Sequence, residues 1–175
     1  MSTISNLPSN KNFLSPLGFK FGIKKTPGVN YFVQAASIPS LTLGVATVPT
    51  PFVKLPLPGD HIDFGTFTVT FHVDEELRNY MELYNWMTAL GKPKDFTQYK
   101  AISDASRPGS GEGIYSDATL TILSSAKNPI VDVHFSNLFP TDLSSLNFDS
   151  RLERVDYIEC TATFRYEAFT FTYLI

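Results

Sequence analysis

The sequence holds one cysteine, Cys160, among 175 residues. A lone thiol excludes an internal disulfide and any zinc site built on several cysteines, and it fits a reducing compartment. Charge is also scarce. Asp, Glu, Lys and Arg make up 18% of the chain, where ordinary domains carry about 25%. Part of the surface is therefore expected to be buried against partners. The net charge is −3 and the basic residues do not cluster, so the footprint of a protein that grips phosphates is missing. No apolar run approaches the ~20 residues of a membrane helix. Residues 1–13 lack a basic start followed by an apolar stretch, so no secretory leader is expected.

Aromatic residues are abundant, with 15 Phe and 8 Tyr. They favour strands and a bulky core. The length suits one domain, expected over 17–175, which should bury roughly 70% of its unfolded surface. Residues 1–16, rich in Ser, Asn and Pro, read as an arm without a core of its own.

Alternation carries most of the fold prediction. Phe19, Phe21 and Ile23 alternate with Lys20 and Lys24, and Val29, Tyr31, Val33 and Ala35 alternate again after Thr26-Pro27-Gly28. That pattern predicts a hairpin. Phe67, Val69, Phe71 and Val73 alternate with threonines and His72 in the clearest strand. Two more strands are expected over 117–124 and 130–136, joined at Ala126-Lys127-Asn128-Pro129. Between Tyr157 and Tyr173 one row holds Ile158, Cys160, Ala162, Phe164 and Tyr166, and the phase flips near Ala168, which predicts a bulge or bend. One amphipathic helix is expected over 75–90. Asp74 would cap it, Glu75 and Glu76 would sit at its positive end, and Leu77, Tyr80, Met81, Tyr84 and Met87 would form its stripe. Gly91 and Pro93 would end it. Six to eight strands and one helix predict a mainly β domain, a sandwich or small barrel with a helix on its flank.

Residues 38–59 break this order. Five prolines interrupt any regular ladder, with short edge pieces expected near Phe52–Leu55. Yet the segment is apolar, so part of it is expected to pack on a neighbouring subunit.

Candidate chemistry is thin. His61 stands between Asp60 and Asp63, which permits a metal or general-base reading and equally a polar turn. Glu75 and Glu76 are adjacent and diverge by about 100° on a helix, so they suit its start better than a catalytic pair. Gly109, Gly111 and Gly113 lead into a strand, not a helix, and read as a linker. Cys160 lies on an apolar row and reads as a buried, inert thiol. No catalytic site, cofactor or metal is expected. Trp86 falls off the helical stripe and is read as an assembly contact, together with Phe52, Leu55, Phe169 and Phe171.

The order of these pieces resembles the tail tube proteins of contractile-tailed bacteriophages. The likeness rests on Tyr31 to Pro39, on Val48 to Leu57 followed by Pro58-Gly59-Asp60, and on Phe67 to Phe71 with Asp74-Glu75. It continues through the helix with Arg78 and Trp86, Leu138-Phe139-Pro140-Thr141, Leu146 to Asp149 and the strand from Tyr157 to Phe169. The chain departs from the common pattern in residues 1–16 and in the tail beyond Phe169. The resemblance implies two packed antiparallel sheets flanked by a helix, with the inner sheet completing a β-barrel across a hexameric ring. It implies stacked rings inside a contractile sheath, a conduit for DNA ejection, and a place in the virion after assembly in the host cytoplasm. Partners would be further copies of the chain, the sheath protein, and baseplate and tail terminator proteins, with DNA passing unbound and no membrane. A baseplate or tube-initiating paralogue, a β-sandwich binding module and a hydrolase using His61, Asp60 and Asp63 are the alternatives.

Overall fold

The computed structural model describes residues 12–91, 113–151 and 156–174. The nine strands among them are β1 (Phe19–Ile23), β2 (Val33–Ala36), β3 (Leu41–Pro49), β4 (Lys54–Phe64), β5 (Phe67–His72), β6 (Ser116–Leu123), β7 (Pro129–Leu143), β8 (Glu159–Arg165) and β9 (Ala168–Tyr173). Two helices accompany them, α1 (Pro27–Tyr31) and α2 (Arg78–Gly91). Residues 1–11 of the expected arm, and Gly109 and Gly111 of the expected linker, lie outside the described residues.

Two antiparallel sheets share strand β7. Its first half lies between β6 and β9, and β6 in turn pairs with β1. Its second half pairs with β8, which continues the other sheet through β5 to β2. The strand crosses between sheets at Asn137, whose φ of 54° puts a left-handed step into an otherwise extended run. Asparagine tolerates that conformation better than most residues. The chain crosses back between β8 and β9 at Tyr166–Glu167, where the alternation flips. The two crossings meet: Glu167 donates its N–H to the Ser136 carbonyl at 3.0 Å, and the Asn137 amide bonds the Glu167 carboxylate.

The space between the sheets is filled by aromatic rings. Phe67 is fully buried between Phe21 at 5.4 Å and Phe135 at 4.4 Å, with Phe164 at 6.3 Å. Val69, Phe71, Cys160 and Ala162 continue the same inner row, as their alternation requires. Helix α2 covers an open side of this core through Leu83 and Trp86.

Several expectations are corrected. β1 and β2 do not form a hairpin: β1 pairs with β6 and β2 with β5. Pro27 starts a helical turn where φ is already suitable. Asn30 then ties that turn to β1, accepting the Ile23 N–H at 2.8 Å and donating to its carbonyl at 3.0 Å. The main helix starts at Arg78, not 75, because Leu77 is left-handed with φ 59°. Asn79 replaces the expected Asp74 cap: it accepts the Asp74 N–H at 3.2 Å and donates to the His72 carbonyl at 2.8 Å. The buried face of the helix is Asn79, Leu83 and Trp86, one position off the expected stripe. Strand β7 also runs on through Leu138–Leu143, past the strand end expected at 136. Pro140 is accommodated there because that half of β7 is an edge.

Residues 41–64 form a long two-stranded hairpin, apart from both sheets, instead of an irregular segment. Its prolines are compatible with pairing because each strand has one partner only. Pro49, Pro56 and Pro58 oppose Lys54, Thr47 and Val45, all in the phase whose N–H points away from the partner. Midway, Gly59-Asp60-His61 bulge opposite Gly44. A Cβ on Gly59 would lie 2.6 Å from the Gly44 carbonyl oxygen, so only glycine fits this close approach.

Phe67→Ala should cost about 3–5 kcal/mol, read as a lower urea midpoint. Gly59→Val should leave that midpoint unchanged while speeding amide exchange at Ala46 and Val48, since it breaks the hairpin and leaves the core alone.

Candidate assembly interface

The hairpin is the largest exposed apolar feature among the described residues. Residues directly opposite share a face, as do residues two apart. One face therefore carries Leu41, Leu43, Val45, Pro58 and Ile62, and the other Ala46, Val48, Leu55 and Leu57. All of these leucines, valines and Ile62 are exposed, and Phe52 at the tip is 96% exposed. A two-stranded hairpin is marginal in water by itself. One that is apolar on both faces requires cover on both.

The base of the hairpin is firmly held. Phe64 packs against Tyr166 at 6.0 Å and Phe169 at 5.6 Å. The Tyr166 hydroxyl donates to the Gly65 carbonyl at 2.9 Å and the Arg165 guanidinium to the Phe64 carbonyl at 3.3 Å. Burial pushes the Tyr166 phenol above its ordinary pKa, with the Arg165 charge opposing. These contacts fix where the hairpin leaves the sandwich, next to the crossing between β8 and β9.

Strand β9 carries the second apolar exposure. Phe169 is half-buried in the core, but Phe171 and Tyr173, on the same side of the strand, are 53% and 76% exposed. The opposing sheet does not reach over them. Of the five expected contact residues, the structure exposes Phe52, Leu55 and Phe171 and half-buries Phe169. Trp86 is 4% exposed and belongs to its own subunit's core. Its indole N–H donates to the Ile114 carbonyl at 3.2 Å and the Lys25 ammonium lies 5.0 Å from the ring centre. Its position one step off the apolar stripe is explained by the rotated helix.

The polar candidates do not gather. His61 and Asp60 stand in solvent on the β4 bulge, 3.7 Å apart, and Asp63 lies across from Thr42. Glu75 and Glu76 sit in the turn before α2, and Glu76 pairs with Arg78. His72 lies 3.9 Å from Glu159 in a shallow cleft with Asp74, Asp156 and Tyr157. Among the described residues, no three His, Cys, Asp or Glu side chains are placed to hold a metal ion. Cys160 is buried, and burial pushes its thiol pKa up, with hydrogen bonds to Ser144 opposing. The thiol is thus held in its unreactive form. The outer faces of both sheets are lined with short hydroxyls, such as Thr70 and Thr161 at 3.2 Å and Thr121, which donates to Asp132 at 2.6 Å.

No family model matches the sequence. The chain is 28% identical over 146 residues to the tail tube terminator protein of Enterobacteria phage T4, covering 74% of this chain and 77% of that protein. Its fold matches a chain of the anti-feeding prophage tube terminating cap with a TM-score of 0.60 and 14% identity, over 99% of both chains. It also matches a chain of the sheath–tube complex of an extracellular contractile injection system with a TM-score of 0.59 and 14% identity, again over 99% of both. The order of strands and the flanking helix agree with these similarities: the chain resembles a phage tail tube terminator in sequence and shares the fold of contractile injection system tube and cap chains.

Proposed function

We propose that this chain is a structural subunit of the end of a contractile tail tube, where copies of it close into a ring. The observation that carries the reading is the β3–β4 hairpin, apolar on both faces and uncovered. A surface of that kind suits insertion between neighbouring subunits. A cyclic, head-to-tail contact builds rings, and stacking extends them. The T4 relative is named a tail tube terminator, which favours one terminal ring over a repeating tube. A hexameric ring with a barrel closed across subunits would remove the free strand edges of the monomer. The sheath, the last ring of the tube and the remainder of the virion tail are the proposed partners. The threonine rows on the sheets suit a lumen that lets DNA slide, because they carry little charge to hold phosphates.

The second reading is the repeating tube subunit. The match to a chain of a sheath–tube complex over 99% of its length supports it at the level of fold. Negative-stain microscopy of the purified chain across a concentration series separates the two. Rings with a central hole that never lengthen are expected for a terminal subunit, and tubes growing by stacking for a repeating one. A strict monomer, alone and in the presence of tube, would refute both.

Phe52→Asp with Leu55→Asp should abolish ring formation, read by sedimentation velocity, without lowering the thermal midpoint of the monomer. His61→Ala should leave assembly unchanged, and loss of rings in that variant would count against the reading.

A further inference from the structure

The two long edges of the hairpin are chemically unlike. In an antiparallel pair, residues alternate between those that exchange hydrogen bonds with the partner strand and those whose N–H and C=O point away. Two bonds set the phase here: Gly65 donates to Ser40 at 2.9 Å and Thr50 to Val53 at 3.2 Å. With the register, the residues of β3 that face away from β4 are Leu41, Leu43, Val45 and Thr47. Four successive N–H and C=O pairs lie along this edge, and no strand among the described residues takes them. The same phase on β4 holds Lys54, Pro56 and Pro58, followed by the bulge. Proline has no N–H to give, so this stretch of the edge, from Lys54 to the bulge, is closed to a further strand.

Strand β9 carries a matching row. Leu174 donates to the Ile130 carbonyl at 2.9 Å, so Phe169, Phe171 and Tyr173 turn their backbone away from β7. Among the described residues β9 has no other neighbour, and it contains no proline. When two such edges join antiparallel, the outward rows lie directly opposite and their side chains share a face. The exposed Leu41, Leu43 and Val45 would then lie beside Phe169, Phe171 and Tyr173, covering both apolar rows at once.

We infer that the free edge of β3 takes strand β9 of a second copy of this chain, while Pro56 and Pro58 keep the β4 edge closed. Each hairpin therefore takes one neighbouring strand and not two, which gives the assembly a direction and stops sheet extension. The inference rests on the self-assembly proposed above and adds which strands meet.

The test uses the full chain, with sedimentation velocity and negative-stain microscopy. Val45→Pro with Thr47→Pro removes two outward N–H groups and no hydrogen bond of the hairpin itself. It should weaken the association constant by roughly thirtyfold with an unchanged far-ultraviolet spectrum. Pro56→Thr with Pro58→Thr opens the closed edge and should add lateral aggregates beyond the parent assembly. Independently of either, an equimolar mixture of Leu43→Cys and Phe171→Cys chains should form a mixed disulfide on oxidation, which neither chain forms by itself. If the parent assembles but the double-proline chain assembles equally well and the cysteine mixture gives no mixed disulfide, the inference falls and the ring reading stands. A parent that is monomeric at every concentration, alone and in the presence of tube, removes both.

Discussion

Every backbone polar group in a sheet needs a partner, and in this protein strand β7 answers that need for two sheets at once. Its 15 residues pair with β6 and β9 over the first half and with β8 over the second. Because one strand belongs to both layers, the layers are registered against each other before any side chain is considered. Asn137 makes the step between them, and Glu167 ties that step to the return crossing. The ring cluster around Phe67 and Phe135 then fills a space whose width is already set. Helix α2 closes it with Leu83 and Trp86, and Asn79 holds the helix start to the end of β5.

The same requirement is unmet in the hairpin. Its residues pair with each other, but among the described residues nothing covers its faces or the outward edge of β3. The sandwich encloses its own core and the hairpin does not. That division places the core in one part of the chain and most of the exposed apolar side chains in the other. It accounts for a surface poor in charge, since a face intended for burial cannot carry many ions without a desolvation penalty.

Much of the fold was legible because period 2 survives in the sequence. The inner rows of β5 and β8 were readable residue by residue, from Phe67, Val69 and Phe71 to Cys160, Ala162 and Phe164, and so was the break near Ala168. The helix was legible as an element but not in its rotation. Asn79 is polar and buried, and no apolar pattern marks a residue that is buried for its hydrogen bonds. The hairpin over 41–64 was misread as irregular because prolines argue against a ladder. Their spacing of two, at Pro56 and Pro58, was the available signal that they occupy the outward phase of a strand with one partner. Of the contact candidates, Phe52, Leu55 and Phe171 are exposed, and apolar character in an odd place was the signal that singled them out. Trp86 was misassigned through the rotation of the helix.

By itself, then, the sequence determined the fold class, the inner rows, the lone inert thiol and the order of pieces shared with tail tube proteins. These follow from local periodicity and composition. Only the tertiary structure decided which strands pair, that β7 serves both sheets, and which apolar residues remain uncovered. Pairing joins residues far apart in the chain, such as Phe67 with Phe164. Exposure depends on what lies across the sheet, and neither is written in any local window of sequence.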